Sequence, residues 1–192
     1  QSSEIRFLKL AKSLAKRFLN EDGYFWPNDF EQDADDSTRF PLAERRLVGL
    51  VHADGNGLGE LLRVLSDALK DASDDAYEAI FRAFSDGLTT ATQDAAQAAS
   101  KAIILPAAEK QILPARPLVL GGDDVTIILR ADLALPFSTA FLKAFEEETA
   151  KSMVDLKEKF KEFDLPTSAL PDKLTACAGI SYMKCSQPFL AG

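Results

Sequence analysis

Cysteine is nearly absent from this sequence. Two residues, Cys177 and Cys185, are too few for a disulfide framework and suggest no zinc site, so a reducing cytoplasm is the expected setting. Excess positive charge is missing as well. Lys and Arg number 22 against 30 Asp and Glu, a formal charge of −8. That balance disfavours broad, sequence-independent binding to nucleic acid or to an anionic membrane, while leaving open a nucleotide bound through a metal. No apolar run approaches the ~20 residues of a transmembrane helix, and no stretch reads as a signal peptide. Internal repeats and low-complexity tracts are absent. The chain starts at Gln1 rather than Met and stops soon after Pro188-Phe189-Leu190. We read it as an excerpt of a longer protein, with Gln1-Ser2-Ser3 a tag remnant.

What remains is an ordinary globular balance. The 192 residues are 46% apolar and 27% charged, enough for one domain with a full core and a small appendage.

The most informative segment is Gly121-Gly122-Asp123-Asp124, between Pro117-Leu118-Val119-Leu120 and Val125-Thr126-Ile127-Ile128-Leu129. Glycines between β-prone runs predict a tight hairpin. Two carboxylates at its tip repel unless a cation lies between them, which points to Mg²⁺ or Mn²⁺. Taken alone, the segment reads equally well as a solvated turn.

A second element lies upstream. Leu47 to Val51 compose a buried strand, and His52-Ala53-Asp54-Gly55-Asn56-Gly57-Leu58-Gly59 follows as a glycine-rich turn. Leu58, Leu61, Leu62, Leu65 and Leu69 then keep one helical stripe. Asp54 falls at the carboxyl end of the strand, and the helix amino terminus offers N–H groups to phosphate. Neither a Walker loop nor the G-x-G-x-x-G spacing is present. His52, the one histidine, shares a strand face with Asp54; a hydrogen-bonded interior imidazole is the preferred reading over contact with Asp54 or a nucleotide.

The remaining pattern is helical. Residues 4–19 form an amphipathic helix, with Lys9, Lys12, Lys16 and Arg17 as its wet side. A turn-rich acidic connection to Phe40 holds Tyr24, Phe25, Trp26 and Phe30, read as packing over the core, and Glu31, Asp33, Asp35 and Asp36, read as solvated. Ser73 caps a longer helix with Tyr77, Ile80, Phe81, Phe84, Leu88 and Ala91 inward. Pro136 starts another, with Phe137, Phe141, Ala144, Phe145, Met153, Leu156, Phe160 and Phe163 inward. Its wet side carries the pairs Glu147–Lys151 and Asp155–Lys159. A last strand runs from about Lys173 to Tyr182.

This order predicts an α+β fold: a ferredoxin-like βαββαβ unit with a four-stranded antiparallel sheet, extra helices on one face and an N-terminal helical extension. The first and third strands are then central neighbours, which brings Asp54 to the Asp123-Asp124 tip. Residues 1–40 are the extension and acidic linker, and 41–192 the main domain.

His52 to Gly59, Leu120-Gly121-Gly122-Asp123-Asp124-Val125, and the strand Leu174 to Ser181 with Lys184 and Pro188-Phe189 after it resemble the palm domain of the large subunit of type III CRISPR effector complexes. More distantly they are similar to GGDEF diguanylate cyclases and class III nucleotide cyclases. The resemblance covers residues 41 to 192 and implies a palm that joins or cyclises nucleoside triphosphates with two Mg²⁺ or Mn²⁺ ions. It implies Asp54, Asp123 and the Gly55 carbonyl as metal ligands, with Asp124 as a helper carboxylate. Gly55, Asn56, Gly57, Leu58, Gly59 and Gly122 would hold the triphosphate. Lys184 reads equally as a phosphate contact or a solvated lysine. A homodimer, a partner palm or a CRISPR-type ribonucleoprotein complex is the implied partner. Two departures stand out. Relatives often carry a second Asp where this chain has Asn56, and they continue past Pro188-Phe189 into a helix with a phosphate-binding lysine, so the palm reads as truncated. A catalytically inactive nucleotide-binding or scaffold palm is the alternative. A template-directed polymerase or nuclease is weaker, since no basic groove is visible.

Overall fold

The computed structural model describes residues 12–27, 40–42 and 46–185. The expectations for residues 4–11 with Lys9, for Phe30, for the acids from Glu31 to Asp36, and for Pro188-Phe189 lie outside those residues.

Four strands, β1 (Leu47–Gly55), β2 (Ala115–Gly121), β3 (Asp124–Arg130) and β4 (Ala176–Lys184), form one open sheet in the order β2-β3-β1-β4. All neighbours are antiparallel. The helices are α1 (residues 12–18), α2 (Leu58–Ala68), α3 (Asp74–Ala99) and α4 (Ala131–Glu162). A π-helical turn, Ser100–Ile104, leads from α3 towards β2. The fold is therefore α+β in the ferredoxin-like strand–helix order, with β1 and β3 central as the sequence requires. Among the described residues, no helix is long and apolar enough to cross a membrane.

Alternation along the central strands decides the layering. Val51 and Ala53 of β1, with Val125, Ile127 and Leu129 of β3, point into the core beneath α3 and α4. Phe137, Phe141 and Phe145 recur every fourth residue of α4, so they share one face. The Phe137 and Phe141 rings lie nearly parallel at a centroid separation of 6.4 Å, and those of Phe141 and Phe145 are tilted by 36° at 5.9 Å. Ile80, Phe84 and Leu88 of α3 complete the layer. On the other face, among the described residues, one half of the sheet is covered, by Phe40 against Val48, Ile128 and Met183. No described residue covers the half nearer Asp54.

Ser73 caps α3 as expected, accepting from the Ala76 N–H at 3.2 Å. Several other expectations need correction. Helix α4 begins at Ala131, so Pro136 lies inside it. Ala131 to Leu135 favours helix, and burial of Ala134 offsets the single backbone bond that Pro136 cannot make. Strand β4 begins at Ala176 rather than Lys173 because Leu174 has another partner. Its N–H donates to the Thr149 hydroxyl on α4, and that hydroxyl lies 3.1 Å from the Leu174 carbonyl as well.

Lys151 pairs with Glu148 at 2.7 Å and Lys159 with Glu162 at 2.5 Å, in place of the expected i,i+4 pairs. Tyr24 and Phe25 are exposed, at 39% and 59%. Of the described aromatics in that connection only Trp26 packs inward, edge-on to Phe18. Arg17 is no solvated residue. It donates to the Leu120 carbonyl at 2.8 Å and to Gln93 at 3.2 Å, while Phe18 and Leu19 enter the main core.

Candidate metal centre

The register of the central pair builds the site. Ala53 of β1 stands opposite Val125 of β3, so one step further Asp54 comes level with Asp124. The β2–β3 hairpin closes on Gly121↔Asp124, leaving Gly122 and Asp123 as its two turn residues. Gly122 takes φ 61° at the first of them, which suits a type II′ turn. The tip thus carries Asp123 on the turn itself and Asp124 on the first strand residue.

One carboxylate oxygen from each of Asp54, Asp123 and Asp124 lies within 4.8 Å of the other two. Asp54 is exposed and Asp123 half-buried. Burial pushes the Asp124 carboxyl above its ordinary range, and a hydrogen bond with Asp54 and the nearby charges of Asp123 and Asp54 push it further. His52 opposes these weakly. Like charges held together in this way are relieved by a proton or by a cation.

Gly55 lets the strand end and the hairpin tip meet: a Cβ there would fall 2.8 Å from Asp123 Oδ2. The next turn is fastened to the segment before β4. Asn56 N–H donates to the Thr175 carbonyl at 2.8 Å, and its side-chain amide to Thr175 Oγ1 at 3.0 Å. Gly57, left-handed at φ 71°, starts α2 without any side-chain cap. The N–H groups of Leu58, Gly59 and Glu60 therefore point outward without intrahelical partners, as the first turn of any helix requires. Glu60 adds a negative charge there, held by Arg63 at 2.6 Å, which lowers the Glu60 pKa. A cleft of about 290 Å³ runs beside this turn, walled by Asn56, Gly57 and Leu61 on one side and Pro171, Lys173 and Leu174 on the other.

Two site expectations change. His52 is exposed on the open sheet face, its Nδ1 2.9 Å from Thr126 Oγ1; nothing covers that half of the face among the described residues, so the imidazole is not interior. Lys184 pairs with Leu47, whereas Asp54 pairs with Cys177. Seven residues of strand, roughly 23 Å at ~3.3 Å each, separate Lys184 from the carboxylates. A lysine side chain cannot span that distance within one chain. The sequence reading missed Arg17, Thr126, Thr149 and Thr175 as supports of this end of the sheet. None of them carries a local signal, because each acts on a partner distant in sequence.

No family model and no curated protein matches the chain. Site geometry and residue chemistry alone therefore support any functional reading.

Proposed function

We propose that the chain is a metal-dependent nucleotidyltransferase of the cyclase type, making a cyclic mono-, di- or oligonucleotide signal from ATP or another nucleoside triphosphate, in a prokaryotic CRISPR-type defence. The observation that carries this reading is the meeting of Asp54, Asp123 and Asp124 within 4.8 Å beside the uncapped start of α2. Three carboxylates are a hard, all-oxygen donor set, which fits Mg²⁺ or Mn²⁺. The raised Asp124 pKa marks negative charge awaiting compensation.

Bound there, a pair of such ions supplies a lower pKa for an attacking 3′-hydroxyl and charge neutralisation for the departing pyrophosphate. The chain supplies the rest. Asp54 and Asp123 present ligand oxygens from two different strands, and Asp124 shares charge with both. The α2 N–H groups of Leu58, Gly59 and Glu60 receive phosphate oxygens. Asn56, tied to Thr175, fixes the turn between the carboxylates and those donors.

The test is incubation with each labelled triphosphate and Mn²⁺, alongside Asp123→Ala. Pyrophosphate release by the native chain and its loss in the variant is the expected result. Equal absence from both, in a full-length preparation, removes catalysis. One observation favours the second reading, a nucleotide-binding or scaffold palm without turnover. The Asn56 amide is engaged with Thr175 and adds no negative charge where relatives often carry an Asp. A nucleotide-dependent thermal shift with no product distinguishes it.

A further inference from the structure

The two edges of the sheet are built differently. β2, on one side, carries Pro117 and a break in register between Pro117 and Val119; both discourage a further strand. β4, on the other, runs nine residues with neither proline nor acid. Among the described residues no strand lies beyond it. Long, unprotected edges present backbone N–H and C=O groups that another strand can satisfy.

The β4 sequence also says which strand. Small residues, Ala176-Cys177-Ala178-Gly179, precede Ile180, and larger ones, Ser181-Tyr182-Met183-Lys184, follow it. Antiparallel pairing of two copies about Ile180 sets Ile180 against the partner's Ile180 and each residue after it against a smaller one before it. Tyr182 falls opposite the partner's Ala178, Met183 opposite the partner's Cys177, and Ser181 opposite the partner's Gly179. Directly opposed side chains share a face and pack, so Tyr182, 54% exposed in the single chain, gains a shallow seat. A protein of charge −8 repels its own copy over most of its surface, but this strand contributes no acidic residue to the seam.

We propose that β4 is a homodimer seam, where two copies pair β4 to β4 antiparallel about Ile180 and join their four-stranded sheets into one. The pairing keeps both open faces on the same side. It leaves the two Asp54 sites about 20 Å apart along the strands and about 14 Å apart across them. Each carboxylate trio then stands alone, so the seam does not depend on the proposed chemistry.

Analytical ultracentrifugation over a wide concentration range tests this with the native chain, Gly179→Lys and Val119→Lys. A Cβ at position 179 meets nothing within 4 Å, so the backbone there accepts a side chain and the lysine is aimed at the edge rather than the core. The expected result is a mass doubling from 20.9 kDa for the native chain and for Val119→Lys on β2, but not for Gly179→Lys. Hydrogen exchange on the native chain supplies a second reading, with β4 amides slowing only as concentration rises. A native chain that stays at single mass, or an equally tight Gly179→Lys dimer, overturns the proposal. So do β4 amides equally protected at every concentration, which mean that the chain's own residues cover the edge.

Discussion

Gly55 and Asp123 touch across the end of the sheet with no room for a methyl group. A Cβ on Gly55 would stand 2.8 Å from Asp123 Oδ2 and 2.9 Å from Asp123 Cβ. The strand end and the hairpin tip approach this closely only because residue 55 lacks a side chain.

Gly55→Ala therefore pushes the hairpin tip away from Asp54 while leaving the helical core intact. We expect Mn²⁺ affinity to fall by about 10- to 100-fold, the usual effect of disturbing a metal site's supports, with an unchanged circular dichroism spectrum. Titration calorimetry reads the affinity. Native affinity in this variant would mean that the tip position is irrelevant to cation binding.

Asp54 and Asp124 stand level on adjacent strands, and like charges so placed destabilise a sheet by about 0.2–1 kcal/mol. Asp124→Asn removes one of them. Stability and cation binding should then move in opposite directions: the metal-free variant melts at or above the native temperature, and added Mn²⁺ no longer raises it. A variant that loses stability without metal contradicts the repulsion argument.

The raised Asp124 pKa fixes the sign of a pH effect. Its folded value lies above its unfolded value through burial and the hydrogen bond with Asp54, so the folded state holds this proton more tightly. The corresponding stability is complete below the unfolded carboxyl pKa and is lost as pH rises through the folded one. Cation and proton compete for the same oxygens, so Mn²⁺ restores stability increasingly over that same rise. Melting curves across the acid range, with Asp124→Asn as the flattened control, check both trends.

Thr149 ties α4 to the segment entering β4. Thr149→Val keeps the volume but leaves the buried Leu174 N–H unsatisfied, at a cost of about 1–3 kcal/mol. Chemical denaturation measures it, and faster hydrogen exchange at Leu174 and Asn56 should accompany the loss. An unchanged midpoint shows that Leu174 finds another acceptor.

Much of this architecture is legible locally. The Phe137, Phe141 and Phe145 spacing, the Ser73 cap and the two-glycine hairpin each depend on neighbours a few residues away. The pairing of β1 with β3 followed from element order, and with it the meeting of Asp54 and Asp124. His52 was not legible. Alternation gives its face, but not that Phe40, the described residue packed on that face of the sheet, stops short of it. Arg17 looked like its lysine neighbours until Leu120 and Gln93 came within reach. Lys184 follows the right strand but sits at the wrong end, a matter of register alone.

The sequence by itself determined which residues carry charge, which segments turn, and which stripes must be buried, since these follow from side-chain chemistry and backbone periodicity. Only the tertiary structure decided how close Asp123 comes to Gly55, and, among the described residues, which half of the sheet has no cover and which strands form its edges. Those depend on distances between segments far apart in the chain, fixed when the whole core packs at once.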